Sequence, residues 1–278
     1  MNSMNKSTSI RNLIIFAVIA VSCGWLAVWV NGQIPSPSPQ QSLGILIWIL
    51  APFITVFLLR GFGKDGWSDF GPRLNLKGNW GWYALATLIY PITITLTLGL
   101  AAVFGAASFE KPILDLLPVI AIGFAASLIK NIAEEFAWRG YLTPRFKALG
   151  LSNFANHMLT GLIWGLWHIP YWLFFLGEDV INSYSSMGMM WFIILGLLGI
   201  CPTALVYGEL RLRTNSLWPA YLAHNITNAI SAQLIIEGFV KFKPNAEFIF
   251  SPNVDGIVMV ILFWAIGLWM LRKQKEQA

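Results

Sequence analysis

Apolar runs of about 17–25 residues, the length needed to cross the hydrocarbon core of a bilayer, recur from one end of this chain to the other. About eight are expected as helices, over roughly 12–31, 43–60, 80–104, 114–138, 155–176, 188–209, 215–237 and 255–271. Composition agrees: 56% of the 278 residues are hydrophobic and 11% are charged, a balance foreign to soluble globular chains. The expected fold class is therefore all-α, a polytopic membrane protein forming a single membrane-embedded domain over 1–278. The first run follows Lys6 and Arg11 as a signal peptide would, but it exceeds an h-region and lacks a small-x-small cleavage site. It is expected as an uncleaved anchor.

The basic residues test this topology. With eight spans and an inside N-terminus, Lys111, Lys241 and Lys243 fall outside and Lys130 falls within a span. All other Lys and Arg residues fall on the cytoplasmic side, the bias expected of inner loops. Both termini are thus expected in the cytoplasm, and the host membrane to be the cell membrane if the source is bacterial. The net charge of +5 belongs to that bias, and no nucleic-acid-binding signature is present. The two cysteines, Cys23 and Cys201, lie inside apolar runs and offer no disulfide framework. Residues 32–39 form a proline-alternating, uncharged connector, and 61–79 reads as an ordered or interfacial loop.

Against this apolar background three polar clusters stand out, since ionisable groups inside a membrane are costly and mark sites or pairs. The first is Glu134, Glu135 and Arg139. Glu135 and Arg139 have i,i+4 spacing and predict an ion pair; Lys130 and Glu134 share that spacing, which gives Glu134 a plain pairing role as well. The second is Trp164 with His168, mid-span and followed by the helix-kinking Pro170. The third is His224 and Asn228, one turn apart on one helical face, an imidazole beside an amide donor that suits a developing oxyanion. Each has a bland reading as interhelical hydrogen bonding. Together they supply a carboxylate, two imidazoles and an amide, the groups that peptide hydrolysis needs. His168 and His224 lie about 15 Å into their spans and Glu134 about 7 Å from Arg139, a mismatch that a kinked or longer fourth span would remove. His157, beside Asn153 and Asn156, is expected at the interface, and Glu209 in a structural ion pair with Arg211 and Arg213.

In this order the motifs resemble those of the CAAX-protease and bacteriocin-processing family of intramembrane endopeptidases, also called abortive-infection-like. Glu134, Glu135 and Arg139 match EExxxR; His168 matches FxxxH with Trp164 in place of phenylalanine; His224 and Asn228 match HxxxN. The resemblance covers about 115–235. It implies helices enclosing a hydrophilic catalytic chamber, with Glu134, helped by His168, activating water. It further implies that His224 and Asn228 stabilise the oxyanion, while Glu135 and Arg139 support the helix end and orient Glu134. No cofactor is required on this reading. A minority reading places zinc on Glu134, His168 and His224, as in an intramembrane metalloprotease.

The expected function is an intramembrane endopeptidase acting near a membrane-associated substrate terminus, with a chamber open toward the cytoplasm. Its partners would be a peptide or membrane-anchored protein substrate and the lipid bilayer, with no nucleic acid. The alternative is a non-catalytic immunity or scaffold protein of the same fold. A proton-coupled transporter ranks last, because no repeated halves with broken helices are evident.

Overall fold

A computed structural model describes residues 6–184 and 188–275. Each expected span has a helix: α1 (Lys6–Gln33), α2 (Leu43–Gly61), α3 (Trp80–Val103), α4 (Leu116–Ala137), α6 (Asn153–Pro170), α8 (Met189–Thr214), α9 (Trp218–Ile236) and α11 (Ile257–Lys275). Short helices α5 (Thr143–Ala148), α7 (Glu178–Tyr184) and α10 (Ala246–Phe250) lie between them. Strands β1 (Ala107–Phe109) and β2 (Val240–Phe242) pair antiparallel, with Ala107 opposite Phe242. The fold is an all-α, multi-helix membrane protein. Five of the helical stretches are long and apolar enough to cross a membrane: α1, α2, α3, Ile113–Ala148 and α8. Helices α6 and α9 fall short of that apolarity because histidines, asparagines and threonines interrupt them.

Helix α4 does not stop at the second glutamate. A π-helical turn over Trp138–Leu142 carries it into α5, giving one helical stretch over Ile113–Ala148. This longer fourth element removes the depth mismatch expected from the sequence. A second π-helical turn, Tyr171–Phe175, comes after His168 and Pro170 on α6. Such turns inside α-helices often occur at functional sites.

Two disrupted helices hold each other at this level. Pro52 has no N–H to offer the Trp48 carbonyl, and the Trp167 indole donates to that carbonyl at 3.1 Å instead. The N–H of Tyr171 goes to the His168 carbonyl, and the Trp167 carbonyl accepts from the Trp48 indole at 2.9 Å. The two rings stack with centroids 3.9 Å apart. Groups freed by a proline and a π turn are thereby paired inside the bundle, as a membrane interior requires.

Helix α9 packs on α4 and α3, α8 on α6 and α11, and α1 on α2 and α6. Of the five long apolar stretches, Ile113–Ala148 has the least covered window, 11% buried. The turn between α10 and α11 enters the bundle, and the Val254 carbonyl lies where a Cβ at Gly199 would be, 1.7 Å away.

At the end carrying Arg60, Arg145 and Arg211, the loop 62–79 is fixed by charge. Asp69 pairs with Arg60 at 2.8 Å and with Arg145, Asp65 accepts from the Tyr141 hydroxyl at 2.6 Å, and Arg60 also caps the Gly140 carbonyl. Burial alone would raise the Asp69 carboxyl, but the Arg60 and Arg145 guanidiniums outweigh it and hold it below the ordinary carboxylate range. The loop is ordered, as its glycines and aromatics predict.

Two expectations are corrected. His157 is fully buried rather than interfacial; its Nε2 meets Glu209 at 3.1 Å. Glu209 pairs with Arg213 at 3.0 Å, while Arg211 instead donates to the Arg139 and Asp69 carbonyls.

Candidate active site

The adjacent glutamates of α4 point to different partners because successive residues on a helix diverge by about 100°. Glu134 is 2% exposed. Its Oε1 accepts from Lys130 Nζ at 2.5 Å and its Oε2 from the Trp164 indole at 2.9 Å. Glu135 is fully buried; its Oε1 accepts from Arg139 at 2.9 Å and meets His224 Nδ1 at 2.8 Å. Glu135 therefore does more than support a helix end: it orients an imidazole on another helix. Two carboxylates and the two cations beside them balance, which offsets part of the cost of burying charge.

His168 Nδ1 lies 2.9 Å from the Trp164 carbonyl, one turn back on α6. A carbonyl only accepts, so Nδ1 carries the proton and Nε2 keeps its lone pair. His224 Nδ1 faces the Glu135 carboxylate, which also only accepts, so a proton sits on Nδ1 there as well and Nε2 is left to meet the site. The His168 ring also stacks against Trp172, with centroids 5.3 Å apart.

Trp164 gathers the three clusters. Its indole N–H holds Glu134, while its ring lies 5.8 Å from the His168 ring and 5.5 Å from the His224 ring, centroid to centroid. Arg139 covers the same ring at 4.3 Å. Residues from α4, α6 and α9 thus meet around one side chain. Asn228 donates to Asn131 Oδ1 at 2.8 Å, leaving its second amide proton for another acceptor.

The sequence reading missed a polar ladder beside the site. Ser127 and Asn131 both donate to Asn225 Oδ1, at 3.0 and 2.9 Å. The signal was present: Ser127, Asn131 and Glu135 repeat at i,i+4 along one face of an otherwise apolar helix.

A cavity of about 480 Å³ adjoins the site. Lys130, His168 and Asn228 line it, together with Trp48, Tyr171, Trp172, Leu176 and Phe192, so its wall is more aromatic than a purely hydrophilic chamber. It continues along Gly123 of α4 and Ile236 of α9 to Asp255 on the inserted turn. Gly123 and Ile236 lie toward the helix ends remote from Arg139 and Arg211, so the cavity extends away from the arginine-rich end. The cause is local: loop 62–79 and its ion pairs pack over that end. Among the described residues, no three His, Cys, Asp or Glu side chains group as metal ligands.

Residues 115–230 match the family model for type II CAAX prenyl endopeptidase Rce1-like proteins. The chain is also similar to the CAAX prenyl protease 2 of Methanococcus maripaludis, 28% identical over 198 residues, which cover 63% of this chain and 69% of that protein.

Proposed function

Because residues 115–230 make this chain a member of the CAAX-protease family of membrane proteins, we propose that it is an active intramembrane endopeptidase hydrolysing a peptide bond near the terminus of a membrane-associated substrate. Glu134 is the general base, taking a proton from a water that attacks the scissile carbonyl and handing it to the leaving amine as the tetrahedral intermediate collapses and the C–N bond breaks. Trp164 fixes the orientation of that carboxylate through Oε2. The free lone pair on His168 Nε2 steadies the same water from the cavity side. Nε2 of His224, whose ring is oriented through Nδ1 by Glu135, and the second amide proton of Asn228 face the oxyanion and donate to it. Glu135 and Arg139 act by position, Glu135 through His224 and Arg139 through Glu135 and the Trp164 ring.

The observation that supports this reading is the convergence of all three clusters on Trp164. No step is routed through zinc; in this arrangement both Glu134 oxygens accept from protein donors, the Lys130 ammonium and the Trp164 indole. The test is Glu134→Gln in purified, folded protein. Cleavage should fall about 10²–10⁴-fold, the usual worth of a general base; unchanged cleavage of the same peptide would overturn the assignment. A scaffold role is the second reading, favoured by the interhelical pairs Glu135–His224 and Asn131–Asn228. It predicts that Glu134→Ala impairs assembly in a protein with no peptidase activity to lose.

A further inference from the structure

Glu134 does not line the cavity, whereas Lys130 does. The Lys130 side chain is 34% exposed and lies over a glutamate side chain that is 1% exposed, with its ammonium on Oε1. With the Trp164 indole on Oε2, both oxygens of the proposed base are occupied. A water approaching from the cavity meets an ammonium before it meets the carboxylate. The site's other cation, Arg139, is fully buried and faces Glu135 and two aromatic rings, so it has no such reach. Among the described residues lining the cavity, Lys130 is the one cation and Asp255 the one carboxylate. An anionic ligand is therefore drawn to the Lys130 end and repelled from the other.

We propose that Lys130 is a substrate-responsive latch: a carboxylate on the bound peptide draws its ammonium from Glu134 and thereby frees the base. The inference rests on the peptidase reading above. A lysine suits the role, because its ammonium rides on a flexible four-carbon stem and needs no fixed bonding plane. Lys130 exchanges one charge-assisted hydrogen bond for another, and the bond that Glu134 Oε1 gives up is taken over by the water it activates. The peptide shifts the latch only as far as it binds the opened arrangement better than the closed one. Peptides lacking the carboxylate leave the base covered.

The test uses the full chain in lipid nanodiscs and three prenylated Cys-aliphatic-aliphatic-X peptides. One ends in a free carboxylate, the second in an amide, and the third in an amide preceded by a glutamate side chain. The wild type should favour the free acid over the plain amide in kcat/KM by at least about tenfold, the worth of a hydrogen bond to a charged group. In Lys130→Met that ratio should fall to near one, and in Lys130→Arg it should be largely kept. Efficient use of the third peptide would identify a side-chain carboxylate as a sufficient source, while its rejection assigns the latch to a chain terminus. A Lys130→Met protein that loses rate equally on acid and amide overturns the latch. Binding is measured separately with a Glu134→Gln protein, with and without Lys130→Met. If the wild type cleaves nothing, the peptidase reading fails. Carboxylate binding that depends on Lys130 still supports the recognition half of the proposal, and acid and amide bound equally overturns it.

Discussion

Trp164 shows how much one side chain carries here. Its ring supports two imidazoles and its N–H holds the proposed base. Trp164→Phe keeps an aromatic ring and removes only the donor. Peptidase assays should then show kcat reduced about 10–100-fold with little change in KM, since a hydrogen bond to a charged group is worth about 1.5–3 kcal/mol. Equal losses in kcat and affinity would place the tryptophan in substrate binding instead. Glu135→Ala should act through stability, because it leaves the fully buried Arg139 without its carboxylate. Loss of a buried partner costs about 3–5 kcal/mol, read as a lower Tm and reduced yield of folded protein. At this scale the sequence was legible in its spacings: i,i+4 pairing correctly joined Glu135 to Arg139 and Lys130 to Glu134. It was blind to contacts between helices. Neither the His224–Glu135 bond nor the Trp164–Glu134 bond is implied by spacing, because both depend on how α9 and α6 rotate toward α4. His157 was misplaced for the same reason, its partner Glu209 being 52 residues away.

Among the elements, the positions of the eight main helices were readable from hydropathy alone, and their interruptions were not. Pro170 announced a kink, yet nothing in the sequence specified π turns after both Ala137 and Pro170. Those turns rotate the helical segments beyond them, and the first extends α4 into a longer helical stretch. Close helix contact depends on residues that hydropathy ignores. Gly208 of α8 faces the buried His157 ring so closely that a Cβ there would meet Nδ1 at 2.0 Å. Gly208→Ala should therefore push α8 from α6 and cost about 1–3 kcal/mol, the usual cost of overpacking. Thermal unfolding in detergent measures this. Activity should fall with it, because α6 carries His168 and Trp164; an unchanged Tm would show that the His157 ring moves aside freely.

At the scale of the whole molecule, charge fixes a loop over one end. The Asp69 carboxyl is held low by Arg60 and Arg145. Its stabilising contribution is present above the unfolded-state value near 3.8 and is lost as pH falls through the lower folded value. Acid titration of Tm should show this loss below about pH 4. Asp69→Asn should lower Tm at neutral pH and flatten that part of the profile; a profile identical to the wild type would mean the ion pairs contribute nothing net. The charge bias that suggested a topology did not foretell that these arginines and aspartates would lock a loop over the bundle.

The helical stretch Ile113–Ala148, whose C-terminal half bears both glutamates, has the least buried apolar window of the five long stretches, 11%. Acyl chains thus serve as its missing neighbour. A thicker or thinner bilayer would change the tilt and height of α4 more readily than those of the better-covered α8, moving Glu134 relative to His168. Hydrophobic mismatch becomes a variable of catalysis: turnover in nanodiscs of increasing acyl length should pass through a maximum, while detergent, which adapts its thickness, should flatten the dependence.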